Sequence, residues 1–547
     1  MASLSEQQEK PETTELNNSQ GPEMEGSESP KWISGWRLVV IALGTSLALF
    51  MVQTESSITS TAIAAITNDL GGFDKSTWVF TAYLLTYSGF PVFFSKVSDI
   101  FGRKQVLLVC IIHFVIFSAA CGAAQTLLQL IMFRWLKGIG ASGIVALGVL
   151  YGFELRPPEK WAGYSAIITL AIAISIAIAP IIGAAFVQAG QWRWCFLLNV
   201  PIGASTAIVL FFTMPNKLQL EPAARLRETS SGLRRLDYVR RLDFVGVFLL
   251  VGASVLLMTS LHQAAEERTF VSPKVLPLLI LSPFFLAAFL AWEWVVTAGS
   301  YEMEPIFPWS LVVNRVFMAM LANSWLSGMV LVVTVVQIPQ RFMIVNGLTA
   351  INAGVRLLPF VAVVAFTSVF VAIIVSRAKI PPVYTLIFGA LLQVAGAAGL
   401  SRASTQSGIE ASQYGFQVLA GAGVGIYNII LILLTPYVID KKHLAIANGA
   451  VTQFRILGGS IGLSIVTCAT SQSLRANLMR MLSPGQTSLI LDRTDKILTL
   501  PADTQMVVRG YFGDMYNVQM IILIGISAAE LIFVALQWQR ETIIFKT

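Results

Sequence analysis

The chain has 547 residues, 55% of them hydrophobic and only 12% charged, with a net charge of +7. A soluble domain carries about 25% charged residues, and here the deficit runs along nearly the whole chain after residue 36, which excludes a soluble domain on a single anchor. The basic residues sit in short loops between apolar runs, so the positive balance reads as the bias that orients membrane helices rather than as a nucleic-acid surface.

The acidic segment 1–35 cannot bury an apolar face and is expected to be a disordered cytoplasmic tail. It lacks the basic start and apolar centre of a cleaved signal, so the first span is expected to act as an uncleaved anchor. Apolar runs long enough to cross hydrocarbon then follow at roughly 37–63, 77–95, 105–123, 127–151, 163–187 and 195–214. After a basic cytoplasmic loop at 215–241 come runs at roughly 243–261 and 275–296. The last set falls at roughly 316–338, 353–375, 382–400, 414–438, 445–470 and 518–537. About fourteen spans result.

They divide into a six-helix bundle over 36–214, an inserted pair over 242–297 and a second six-helix bundle over 298–538, with a long external loop near 471–517 and a cytoplasmic tail at 539–547. Lys96, Arg103, Lys104, Arg156, Lys160, Arg377, Lys379, Lys441 and Lys442 all fall on one side when the amino terminus is cytoplasmic. Cys110, Cys121, Cys195 and Cys468 lie in or beside apolar runs without a CxxC pair or Cys/His cluster. Neither a disulfide framework nor a zinc site is expected, and no other metal site.

An ionisable side chain at mid-bilayer costs about 2.5–3.5 kcal/mol, so such residues call for a reason. Glu55 stands in the first span among Gln53, Thr54, Ser56, Ser57 and Thr59. It either handles protons and substrate or forms a fixed ion pair. Arg134 lies in the fourth span with Lys137 at i+3, and these two cations need an anion, for which Glu55 is the candidate. His113 reads as a hydrogen-bonded core residue. Arg356 and Arg455 are read as lying near span ends, able to snorkel, and Glu293 and Glu530 as lying near cytoplasmic ends. Gly138, Gly140 and Gly143 allow close helix contact, as do the second-half clusters around Gly423 and Gly459. Pro180 with Gly183 marks a flexing point in the fifth span. Gln53, Tyr83, Tyr87, Trp325 and Tyr427 are candidates to line a substrate cavity, or they are packing residues.

The loop after the second span reads Ser95-Lys96-Val97-Ser98-Asp99-Ile100-Phe101-Gly102-Arg103-Lys104. It resembles the signature loop of the major facilitator superfamily, with Ser95 in place of the leading glycine. Arg134, Gly138 and Gly140 are similar to that family's fourth-span pattern, Lys137 replacing a glutamine. Ser175, Ala179, Pro180 and Gly183 are similar to its antiporter pattern, with glycines lost. Trp192–Gly203, Asp243–Gly246 and Ala353–Pro359 resemble the fourteen-spanner drug:proton antiporters, closest to fungal efflux pumps for toxins and secondary metabolites.

The resemblance implies an all-α membrane fold of two six-helix bundles plus an inserted pair. It implies proton-driven efflux of an amphipathic small molecule by alternating access, with no cofactor beyond the proton gradient and no enzymatic activity. Glu55 and Arg134 would couple protons. Asp99, Gly102, Arg103, Lys104 and Glu154 would form a conformational latch, Asp99 capping a helix of the opposite half and Arg103 pairing with Glu154. The partners would be substrate, protons and lipid, without nucleic acid; the protein would be a monomer in the cell membrane or the vacuolar membrane. Proton-coupled import of a metal chelate or nutrient is the alternative, and a non-transporting sensor the alternative of another class.

Overall fold

The computed structural model describes residues 35–71, 76–157, 160–215, 241–267, 269–299, 303–405, 408–492, 494–539 and 543–545. The acidic tail and the basic 215–241 loop lie outside them, but for residues 35, 215 and 241, as does part of the 539–547 tail.

Runs free of charge leave the backbone no partner in hydrocarbon but itself, so the spans fold as helices. The first half holds α1 (Trp36–Leu70), α2 (Ser76–Gly89), α3 (Pro91–Phe101), α4 (Arg103–Ala123), α5 (Leu127–Glu154), α6 (Trp161–Gln188), α7 (Trp194–Leu197) and α8 (Asn199–Thr213). The inserted pair is α9 (Phe244–Glu267) and α10 (Leu276–Ala298). The second half holds α11 (Trp309–Val312), α12 (Arg315–Ile344), α13 (Ala350–Val355), α14 (Leu358–Ala378), α15 (Pro382–Leu400), α16 (Ser412–Val438), α17 (Leu444–Met479), α18 (Pro484–Asp492) and α19 (Ala502–Leu536).

Among the described residues, thirteen segments are long and apolar enough to cross a membrane. The remaining expected crossing is present as α2 and α3, of 14 and 11 residues, parted only by Phe90. Pro91 opens α3 and has no N–H to continue the ladder of α2.

The same packing pattern occurs twice. In the first half α1 packs on α6 and α8, α4 on α5 and α8, and α2 on α5. In the second, α12 packs on α17 and α19, α15 on α16 and α19, and α14 on α16. Hydropathy could only suggest this repeat; packing displays it. The halves meet along two seams, α6 against α14 and α3 with α5 against α17. The inserted α9 packs on α10, α2 and α17, on the second seam.

Hydrophobic cores define the state of the molecule. At the end bearing the 95–104 hairpin one core runs through both halves, joining Leu107, Leu150 and Tyr164 to Leu386, Ile430 and Val451. At the other end the buried cores are separate, with Ile58, Val79 and Phe196 in the first half and Phe342, Phe360 and Met520 in the second, against which Ile176 of α6 packs from the first half. The molecule is closed at the hairpin end. There Trp161 meets Tyr437 edge-on at 5.8 Å, and a Cβ on Gly449 would lie 3.1 Å from that of Ser95.

The stretch expected as a long loop at 471–517 is instead mostly helical. α17 continues to Met479, α18 and a short 3-10 turn follow, and α19 begins at Ala502. Leu474, Leu478 and Leu482 recur every fourth residue and bury with Ile490, Ile497, Val508 and Phe512 into a separate small core. Interspersed polar residues hide that pattern from a hydropathy average.

Candidate functional site

Glycines bring α5 close enough to serve Glu55. A Cβ on Gly138 would sit 2.5 Å from the Tyr83 carbonyl oxygen of α2, and one on Gly140 would sit 2.8 Å from that of Cys110 on α4. From this position Arg134 Nη1 lies 2.7 Å from Glu55 Oε1, and Lys137 Nζ lies 2.5 Å from Oε2. Asn199, at the start of α8, donates from Nδ2 to Oε2 at 3.0 Å. Arg134 also donates to Thr59 Oγ1 at 2.9 Å and from Nε to the Val79 carbonyl.

Glu55, Arg134 and Lys137 are wholly buried. One carboxylate thus answers two cations, and aromatic faces supply the rest of the negative surface. Arg134 lies over Tyr83 and Phe196 at 5.3 and 5.5 Å, and Lys137 over Phe114 at 4.7 Å.

The hairpin forms a second charged group. Gly102 ends α3 at φ 103°, a conformation that needs glycine, and turns the chain into α4. Arg103 Nη2 then reaches Glu154 Oε1 at 3.0 Å and Asp99 Oδ1 at 2.5 Å. Asp99 is expected to cap a helix of the opposite half. Here its Oδ1 pairs instead with Arg103, one turn along its own hairpin and on the same face. Lys104 Nζ donates to the Met214 carbonyl at 2.7 Å. Lys96 meets Glu304 at 2.6 Å, and Arg241 meets the other oxygen of Glu304 at 2.6 Å. Glu304 thereby ties the hairpin to both ends of the inserted pair. Burial pushes its carboxyl up, but Lys96 and Arg241 outweigh burial and hold it below the ordinary glutamate value.

Of the five cavity candidates, three come together. Tyr87 Oη donates to Gln53 Oε1 at 2.8 Å, and Tyr83 stacks on Tyr87 at 5.6 Å. Tyr427 is fully buried within the second half, against Gly389. Trp325 packs with Leu257 and Leu261 of the inserted α9, so neither joins the first three. Pro180 leaves α6 unbroken over Trp161–Gln188, and Gly183 sits where a Cβ would lie 3.0 Å from the Ile58 carbonyl of α1. His113 bonds the Leu136 carbonyl at 2.8 Å.

Glu293 and Glu530, read as near cytoplasmic ends, are both fully buried. Glu293 accepts from the Ile306 N–H at 3.1 Å; Glu530 has Tyr427 and Gln393 as polar neighbours. Asn199 and Glu304 were not singled out by sequence reasoning. Asn199 stood within a quoted motif, but nothing in the sequence pairs Glu304 with Lys96 across 208 positions.

The sequence matches the family model described as Major Facilitator Superfamily over residues 45–463. The chain belongs to the major facilitator superfamily. Among its relatives, the MFS-type transporter FPY5 of Fusarium mangiferae is 35% identical, covering 93% of this chain and 85% of its own length. The rubrofusarin-specific efflux pump aurT of Gibberella zeae is 24% identical over 89% and 88%. Multidrug resistance protein 3 of Bacillus subtilis is 29% identical over 78% of each chain. Among solved structures, the proton:xylose symporter XylE aligns with TM-score 0.55 at 12% identity, covering 90% of this chain and 96% of that one. A bacterial homologue of the lysosomal transporter Spinster aligns with TM-score 0.56 at 13% identity over 93% and 100%. These two share the fold. As a major facilitator, the protein is a multi-pass membrane transporter of small molecules.

Proposed function

We propose that this major facilitator exports an amphipathic metabolite or toxin in exchange for protons, as a monomer in the cell membrane and without enzymatic activity. The observation that carries the reading is Glu55, an acid buried among the helices of the first half and bonded to both Arg134 and Lys137. Protonation of Glu55 breaks both pairs at once. The two cations, one turn apart, then repel and must find other partners, which repacks α5 against α1. That is how a proton on one side chain biases the rocking of two halves. The membrane potential contributes about 2.3 kcal/mol per charge per 100 mV to such an exchange. Relatives named as efflux pumps support the outward direction.

The latch fits this cycle. Arg103, Asp99 and Glu154 sit at the joined end, where their ion pairs fix α3 and α5, two elements that pack on α17 of the second half. The test is flux in everted vesicles of an expressing strain under an imposed proton gradient. Accumulation that collapses with an uncoupler supports efflux. Glu55→Gln is expected to bind cargo and lose gradient-driven flux; undiminished flux in that variant refutes the coupling role.

A further inference from the structure

On α17, Arg455 carries a charge that no acid answers among the described residues. Its Nη1 donates to Asn428 Oδ1 on α16. Among the described residues the one ionisable group acting on it is Tyr87, which belongs to α2 in the opposite half. Neither neighbour is an anion at neutral pH. Arg455 is not a snorkelling residue near a helix end. It lies eleven residues into a helix of 36, or about 16 Å along its axis, beyond what a flexible side chain spans to reach water.

Its surroundings run across the boundary between halves. Tyr87, which donates to Gln53, stacks on Tyr83, and Tyr83 in turn lies under Arg134. Gln53, Asn428 and Arg455 keep partial exposure, whereas Glu55, Arg134 and Lys137 have none. With Tyr87 of α2 acting on Arg455 of α17, these polar groups lie at the boundary between the halves. Among the described residues linked in this way, one acid, Glu55, stands against three bases, Arg134, Lys137 and Arg455. A guanidinium stripped of water without an anion is strongly disfavoured, so each closure of the space over Arg455 calls for a negative partner that the chain does not supply.

We infer that the cargo supplies it: the space between the halves binds an amphipathic organic anion, its carboxylate or equivalent oxyanion on Arg455. The Asn428 amide, its oxygen already accepting from Arg455, turns its N–H groups to the same anion. The Tyr87 ring, backed by Tyr83, takes the apolar body. This deepens the transport reading above and rests on it, by giving the cargo a charge class. It also makes closure selective, because the space closes readily only when an anion is inside.

The experiment is equilibrium binding to the purified full-length protein in lipid nanodiscs, without a proton gradient, so that a failure of proton coupling leaves it unaffected. The probes are 1-pyrenebutyrate, its neutral amide and 1-pyrenebutylamine, which share one apolar body and differ in charge. The carboxylate is expected to bind at least ten-fold more tightly than the amide, and the amine more weakly still. Arg455→Gln is expected to bring the carboxylate down to the amide, with amide binding unchanged, while Arg455→Lys keeps most of the preference. Equal binding of the three probes, preference for the amine, no pyrene binding at all, or an unchanged preference in Arg455→Gln overturns the proposal. If Arg455→Gln does not fold, the three-probe comparison on the unaltered protein still decides.

Discussion

Glu55 holds two cations, and that ratio decides what its removal does. Glu55→Ala leaves Arg134 and Lys137 buried, adjacent and unpaired, and breaking a buried ion group in this way costs about 3–5 kcal/mol. A drop in the melting temperature of the detergent-solubilised protein is expected. Adding Lys137→Met removes one stranded charge and keeps an apolar stem of similar length, so the double variant is expected to melt above Glu55→Ala alone. Equal melting of the two variants would show that Lys137 does not depend on Glu55. The acid and both bases were legible in the sequence because each violates the apolar rule of its span. Arg455 violates it too, but its position along the sequence reads as near a span end. What distinguishes it is Tyr87 across the boundary, and no spacing along one chain conveys that.

At the scale of elements, the hairpin and the inserted pair act through Glu304. Its carboxyl is held below the ordinary value by Lys96 and Arg241. A group held down in the folded state adds stability above its unfolded value and loses it as pH falls through its folded one. Glu304→Gln is therefore expected to lower the melting temperature at pH 7. The gap from the unaltered protein should narrow below about pH 4, as the native carboxyl protonates. A gap independent of pH would show that the ion pairs contribute nothing. The signature hairpin was legible from Asp99 to Lys104, including the need for glycine at Gly102 and the pairing of Arg103 with Glu154. The contact of Asp99 was not, because local pairing with Arg103 competes with a distant helix end. The helical cap after Met479 was hidden for a different reason: three leucines at four-residue spacing do not raise a hydropathy average.

For the whole molecule, the joined core at the hairpin end means that alternating access begins by parting α3 from α17. Ser95→Cys with Gly449→Cys tests this, since the two Cβ positions lie 3.1 Å apart and a slight relaxation admits a disulfide. The native cysteines are all buried and free, so background cross-linking is low. Oxidation is expected to abolish transport and a reductant to restore it. Full transport in the cross-linked protein would show that this end need not open. The all-helical architecture of many spans was legible because hydrocarbon thickness sets a length that composition reveals. Which end is joined was not, since closure depends on contacts between residues hundreds of positions apart.

The inserted pair lies on one seam only. α9 fills the groove beside α2 and α17, so lipid there meets a helix instead of a boundary. The α6–α14 seam has no such cover, and only 19% of the apolar window of α6 is buried. The two flanks of the molecule therefore differ: one seam is lined by the inserted α9, the other is formed by α6 and α14. Two like halves would present two equivalent flanks; the added hairpin gives this carrier a front and a back.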